Sequence, residues 1–422
     1  MFSISHSALS ASGLAHGLRA ILHRGADMAR LPFGFTLILL CVAASLYFFV
    51  LYTKDDLPSY FQAFNRRLET PQPPPSAEPE LASVSNGTAY PESSEMGIWN
   101  RPSECAQNTS ALSFKGFSEL KPHIRNFLLY RHCRRFRLLL DVPEKCGRTT
   151  EDSAGVFLLL VIKTSPGNYE RREVLRRTWA AERLENGASV RRVFLAGTAD
   201  GELRQRTDEL LQLENRIHGD VLQWDFLDSF FNLTLKQLLF LGWMQERCPH
   251  ARFILNGDED VFANTDNIVR YLQAQDNLSD GGHLYVGQVL RDTKPVRWTQ
   301  SKYYIPPQVY TAEFFPPYCT GGGFLISGYT AKVIYNMSSS MPIIPIDDAY
   351  IGMCLDKAGL QPKMHVGVLA VGEKVDPKRI YNMDPCLYRD IILAHGFMPY
   401  EILVLWERIH SPSLKCGMLN IS

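Results

Sequence analysis

Apolar residues in this chain come as short unbroken runs separated by segments in which apolar and charged residues alternate at helical spacing. From 156 to 162 (Val-Phe-Leu-Leu-Leu-Val-Ile) every position is apolar, the pattern of a strand buried on both faces. Residues 168–185, rich in Arg and Glu, then predict a helix. The alternation continues with a strand at 192–197, a helix at 202–217, a strand at 220–224, a helix at 233–245 and a strand at 252–255. Strands alternating with helices predict an α/β domain with a mostly parallel central sheet and right-handed crossovers. Ligands of such sheets bind beyond the carboxyl ends of the strands.

A different run lies near the N-terminus. Residues 33–52 hold 20 positions without a charge, enough to cross a hydrocarbon layer of about 30 Å. Arg19, Arg24 and Arg30 precede it, and Lys54, Asp55 and Asp56 follow. This asymmetry predicts a cytosolic tail at 1–32, an uncleaved signal anchor at 33–52, and the rest of the chain on the far side of the membrane. Residues 53–104, with Pro71-Gln72-Pro73-Pro74-Pro75 and few core-forming residues, read as a disordered stem. Residues 105–422 then form one lumenal domain. Six sequons follow the anchor, at Asn86, Asn108, Asn232, Asn277, Asn336 and Asn420, as do eight of the nine cysteines. That even number fits disulfides in an oxidising compartment, and no Cys-x-x-Cys spacing points to zinc. The formal net charge is zero, so nothing argues for nucleic acid as a partner.

The strand at 252–255 delivers Asp258-Glu259-Asp260 directly beyond its end. Three adjacent carboxylates repel one another and lose hydration where they are half-buried. A divalent cation removes that cost, and hard oxygen ligands suit Mg²⁺ or Mn²⁺ holding a diphosphate. Beyond the first strand lie Lys163, Arg171, Arg172 and Arg176. Arg172 and Arg176 share a helix face, so the group is a candidate for offering positive charge to the diphosphate. Asp228 and Asn232 read as turn and cap residues, and a glycan on Asn232 would crowd a helix start. Gly321-Gly322-Gly323 follows an aromatic, proline-rich stretch and permits close approach of a ligand to the backbone. Asp347-Asp348 opens a helix; if Asp347 caps it, Asp348 is free to act as a base. His395 follows an apolar segment near the C-terminus and becomes interesting as a metal ligand from outside the acidic turn.

Taken together these motifs resemble the inverting β1,3-glycosyltransferases of the Golgi, and most closely the β1,3-N-acetylglucosaminyltransferase group. The resemblance rests on Arg171-Arg172 through Trp179, Asp225 through Lys236, Asp258-Glu259-Asp260, Tyr318 through Gly323, Asp347 through Gly352, His395, and Leu414-Lys415-Cys416. It spans residues 105–417. It implies a nucleotide-sugar-binding domain of the GT-A type that uses Mn²⁺ or another divalent cation. UDP-GlcNAc is the implied donor and a galactose-terminated glycan the acceptor. Asp258, Asp260 and His395 would hold the metal; Lys163, Arg172, Arg176, Asp258 and Glu259 would lie at the donor; Asp348, or else Asp347, would be the base. Glu259 stands where many members have Asp, and Asp347-Asp348-Ala349 where many have Glu-Asp-Val. The implied location is the Golgi membrane, as a single-pass type II protein able to form homo- or hetero-oligomers with other Golgi glycosyltransferases. Other readings stay open: a β1,3-galactosyltransferase using UDP-galactose, a non-catalytic lumenal binding protein with the same fold, and, least favoured, a glycoside hydrolase.

Overall fold

The computed structural model describes residues 105–275, 282–370 and 383–417. The expected tail, anchor and stem, and the sequons at Asn86, Asn277 and Asn420, lie outside them. Strand β1 (Leu138–Leu140) follows helix α1 (Pro122–Tyr130). Then come β2 (Leu158–Lys163), α2 (Tyr169–Arg177), β3 (Arg183–Glu185), β4 (Ala188–Thr198), α3 (Leu203–His218), β5 (Val221–Leu227) and α4 (Leu233–Arg247). Next are β6 (Phe253–Asp258), β7 (Val261–Ala263), α5 (Thr265–Ala274), β8 (Tyr285–Gly287), β9 (Val289–Leu290), β10 (Tyr318–Cys319) and β11 (Gly323–Ser327). The chain continues through α6 (Gly328–Ser338), α7 (Asp347–Lys357), β12 (Lys363–Met364), β13 (Val368–Leu369), α8 (Pro385–Asp390), β14 (Leu393–His395) and α9 (Pro399–Ile409).

The main sheet runs β1-β5-β4-β2-β6-β11-β8-β12, with β3 beside β4. Its heart, β5-β4-β2-β6, is parallel, as the unbroken apolar runs require. The remainder corrects the expectation of a mostly parallel sheet. β11 is antiparallel to both β6 and β8, and β1 and β3 are antiparallel to their partners, so the sheet is mixed. The helix expected to 185 ends at Arg177. Trp179 turns inward there, is fully buried, and donates from its indole nitrogen to the Val261 carbonyl at 2.8 Å.

Both faces of the sheet are covered. Leu159 and Val161 pack on the side of α4, α6 and α7, while Leu158, Leu160 and Ile162 pack on the opposite side. Each such buried side chain contributes roughly 1.5–3 kcal/mol. Lys163, in phase with Leu159 and Val161, therefore emerges on the α7 side. A second small sheet, β13-β14-β7, pairs His395 with Val261 and so carries the C-terminal segment to the acidic turn.

Among the described residues three disulfides form, Cys105–Cys133, Cys146–Cys248 and Cys386–Cys416. Cys319 and Cys354 stay as buried thiols, so the even count does not translate into full pairing. Asn232 does not cap α4 with its side chain; its amide nitrogen, the atom a glycan would occupy, donates to the Leu227 carbonyl at 2.8 Å.

Candidate active site

The site opens where β2 and β6 end side by side, with Lys163 and Asp258 as register partners. Lys163 is 4% exposed. Its ammonium lies 2.6 Å from Asp347 Oδ2 and 3.0 Å from Asp258 Oδ1. Burial disfavours its charge, yet the two carboxylates outweigh burial and hold its pKa above the ordinary lysine value. Asp347 is thus committed to Lys163. It does not cap α7, whose capping position, Ile346, has no side-chain bond. Asp258 is pushed up by burial against the pull of Lys163.

Asp260 faces a different partner. His395 Nε2 lies 3.2 Å from Asp260 Oδ1. The Asp260 carbonyl accepts from the backbone of Gly396 and Phe397 at 3.0 and 2.8 Å, which fixes the histidine beside the turn. Burial alone would raise the Asp260 pKa, but the bond to His395 and the positive charges of His395 and Arg171 bring it below the ordinary value. The same bond raises the His395 pKa against burial. One ligand atom from each of Asp258, Asp260 and His395 falls within 4.8 Å of the others. Asp258 Oδ1, though ion-paired, accepts no well-aligned hydrogen bond. Two carboxylates and an imidazole so placed fit a Mn²⁺-like cation.

Asp348 stands on the far side of Asp347. Its Oδ1 accepts from the Ala349 backbone at 2.7 Å. Burial first, and then the charge of Asp347, push its pKa up to about 7, while backbone donors at Ala349 and Gly321 and the charge of Lys163 oppose the rise. The glycine run makes room for these side chains as well as for a ligand. A Cβ on Gly322 would sit 2.9 Å from the His395 ring, and one on Gly321 would sit 3.2 Å from Asp348.

Three expected donor residues behave differently. Arg172 is fully buried and grips Glu214 through two bonds of 2.6 and 2.8 Å. Arg176 binds Asp220, Glu214 and Glu173. Neither faces the cleft, which corrects the expectation that both offer charge to a diphosphate; a shared helix face is as compatible with buried pairing as with a ligand. Arg172 acts on the site indirectly, donating to Thr164 Oγ1 at 3.1 Å and to the Ser165 carbonyl at 2.8 Å. Glu259 turns back to Thr164, Asn168 and the Ser165 backbone, so it braces the loop after β2. Arg171, one residue earlier on the helix, is the arginine that lines the cleft.

Sequence alone reads Asp228 as a turn or cap residue and gives Lys236 no role of its own. Lys236 lines the cleft but is committed to the Thr164 carbonyl and Asp228 Oδ2, at 2.9 and 2.8 Å. Two cavities result. One, of about 380 Å³, lies over Thr164, Asn168, Arg171 and the acidic turn. The other, of about 400 Å³, contains Asp347, Asp348 and His395. Phe230, Leu233 and Asp258 line both.

Residues 170–365 match the galactosyltransferase family. N-acetyllactosaminide β-1,3-N-acetylglucosaminyltransferase 3 from Homo sapiens is 51% identical over 318 residues, covering 75% of this chain and 83% of that protein. The chain belongs to the galactosyltransferase family. Two further relatives carry names of the same kind. A second human protein, acetylgalactosaminyl-O-glycosyl-glycoprotein β-1,3-N-acetylglucosaminyltransferase, is 49% identical over 74% of this chain and 80% of its own length. The UDP-GlcNAc:βGal β-1,3-N-acetylglucosaminyltransferase 7 of Rattus norvegicus is 39% identical over 83% of this chain and 90% of its own. This galactosyltransferase-family chain is accordingly an enzyme of the UDP-sugar-using glycosyltransferases. The stretch 170–365 holds Arg171, Asp258, Glu259, Asp260, Asp347 and Asp348, while Lys163, Thr164, Ser165 and Asn168 precede it and His395 follows it.

Proposed function

We propose that this enzyme transfers N-acetylglucosamine from UDP-GlcNAc, with inversion, in β1,3 linkage to a galactose-terminated glycan, using a GT-A type domain. The observation that carries the reading is the convergence of Asp258, Asp260 and His395 beside a raised-pKa carboxyl, Asp348. Asp258, Asp260 and His395 are the residues that would hold the cation. When bound, the cation supplies charge neutralisation to the UDP leaving group.

The chain's own residues do the rest. Asp348 accepts the proton of the acceptor hydroxyl as that oxygen attacks the anomeric carbon. Its raised pKa suits this task near neutral pH, where it is partly ionised and still basic. One displacement needs one base. Asp347, neutralised by Lys163, is not available as a second. Arg171 donates to the Phe397 carbonyl at 3.0 Å and, unlike Lys163 and Lys236, is bonded to no carboxylate among the described residues. It thus keeps positive charge to offer the diphosphate. The three disulfides support a lumenal, oxidising setting, in line with a single-pass type II protein of the Golgi membrane anchored through residues 33–52.

The test is an assay of the purified lumenal domain against UDP-sugars and acceptors, with Mn²⁺ or with chelator. Transfer from UDP-GlcNAc to N-acetyllactosamine, lost with chelator and giving a β linkage by NMR, is the expected result. Transfer from UDP-galactose alone, or Mn²⁺-independent transfer, would overturn the donor or the metal assignment respectively.

A further inference from the structure

Residues 291–317 join β9 to β10 without forming a strand or helix of their own. Structureless connections of this length inside a compact domain are uncommon and are usually functional. This one is held in shape. Val296 and Tyr304 form an isolated bridge, and Arg297 donates to the carbonyls of Ile305 and Tyr310 at 2.6 and 2.8 Å. Phe315 N donates to the Thr293 carbonyl at 2.9 Å, closing the excursion at its neck. The segment brings Val296, Tyr303, Ile305 and Phe315 to the cavity that contains Asp348.

Tyr303 is 45% exposed. Its ring meets that of Phe230 edge-on, with centroids 5.3 Å apart. Phe230 lines both cavities, at the seam between the acidic turn and the Asp348 side. The Asp348 cavity is thus lined by both carboxylates and aromatic rings. Lys302 Nζ lies 4.8 Å from the Tyr303 ring centroid and 5.8 Å from that of Phe230, so a cation and not core packing accompanies these two rings. A pyranose suits such a lining: its hydroxyls can face the carboxylates, while its ring C–H groups form an apolar patch that lies against aromatic rings.

We propose that Phe230 and Tyr303 are the aromatic wall that selects the acceptor, by packing against the C–H face of its terminal sugar while Asp348 takes the hydroxyl proton. This rests on the proposed transfer reaction and adds to it the residues that choose the acceptor. Tyr303 acts through its ring, not its hydroxyl, so Tyr303→Phe retains function. Phe230 acts as the fixed partner of Tyr303 and as the seam between donor and acceptor.

The test uses the lumenal domain with N-acetyllactosamine as acceptor. Wild-type hydrolysis of UDP-GlcNAc without acceptor checks the underlying reaction by itself. If the wild type neither hydrolyses nor transfers, the reaction is misassigned, and the wall falls with it. Given turnover, Tyr303→Ala should raise the acceptor KM about tenfold, equivalent to one packed aromatic contact. UDP affinity by calorimetry and acceptor-free hydrolysis should stay within twofold of wild type. Phe230→Ala should raise the acceptor KM too, together with some loss of UDP affinity because Phe230 also lines the donor-side cavity, and Tyr303→Phe should keep the wild-type acceptor KM. An unchanged acceptor KM in Tyr303→Ala overturns the proposal, as does equal loss of donor and acceptor affinity. Tyr303 is exposed, so its variants decide the matter even if Phe230→Ala folds poorly.

Discussion

Around Asp220, three buried arginines meet three acids: Arg172, Arg176 and Arg192 against Glu173, Glu214 and Asp220. Around Asp258, one buried ammonium, Lys163, meets a chain of acids: Asp258 and Asp347 directly, with Glu259, Asp260 and Asp348 beside them. Both clusters withdraw charge from water, which is costly unless each charge is paired. The first is balanced within the protein. The second is not, and its surplus negative charge is what a bound cation and an acceptor proton would meet. Arg172 ties the two together through Thr164 and Ser165.

Breaking the unbalanced cluster should have the largest effect. Asp260→Asn is expected to reduce transfer to background while secretion and thermal unfolding stay normal, because it removes a proposed cation ligand and no packing. Wild-type transfer at ordinary Mn²⁺ would show that Asp260 is no ligand. Asp348→Asn should lower turnover by about 10² to 10⁴-fold with near-normal UDP affinity by calorimetry, as expected for a general base. Asp347→Asn should fall between this variant and wild type, since it frees Lys163 without removing the base. If Asp347→Asn is the dead enzyme instead, the two roles are exchanged.

The balanced cluster should fail in a different way. Arg176→Met leaves Asp220 and Glu214 short of a buried partner, so stability should drop by about 3–5 kcal/mol. The KM for UDP-sugar, per folded molecule, should not move. A shifted KM with unchanged chemical denaturation would mean that Arg176 serves the donor after all.

Acidity separates the clusters as well. Burial would raise the Asp220 pKa, but its bonds and charges from Arg176 and Arg192 bring it below the ordinary carboxylate value. The stability it contributes is therefore full above its unfolded value, about 4, and is lost as pH falls through the lower folded value. Asp348 is shifted the other way, to about 7, so transfer should rise with pH through neutrality, while the stability cost of the raised value grows as pH climbs from the unfolded value of about 4 and levels off once the folded carboxyl is ionised. A flat rate between pH 6 and 8 would count against Asp348. The smallest effect is expected at His395: replacement by Ala should raise the Mn²⁺ needed for half-maximal activity, whereas His365→Ala should not. The His365 ring packs edge-on against Tyr271, with centroids 4.7 Å apart, and accepts from Gly367 N at 3.0 Å.

The parallel heart of the sheet was legible because a strand buried on both faces must be apolar throughout, as Leu158 through Ile162 are. The acidic turn was legible for the converse reason, three charges where apolar burial has just ended. The strands β7, β13 and β14 were not, since two or three residues carry no periodicity. Arg171 and Arg172 differ by one helical step, and sequence holds nothing to say which turns to the cleft and which to Glu214. The sequence suggested capping for Asp347, whereas the structure gives it an ion pair with Lys163, 184 positions away. The register of β2 against β6 sets Lys163 beside Asp258, and no local pattern foretells that α7 brings Asp347 to the same ammonium. Cysteine number similarly could not foretell that Cys319 and Cys354 stay reduced.

The C-terminal segment gives the protein a schedule. His395 reaches Asp260 only once β14 has paired with β7, and the Cys386–Cys416 bridge closes the segment around that pairing. Because a chain is made from its N-terminus onward, a nascent polypeptide can build the parallel heart with two of the three proposed cation ligands in place. The third arrives with the tail. An unfinished copy thus holds an incomplete set of the proposed ligands until this segment has paired.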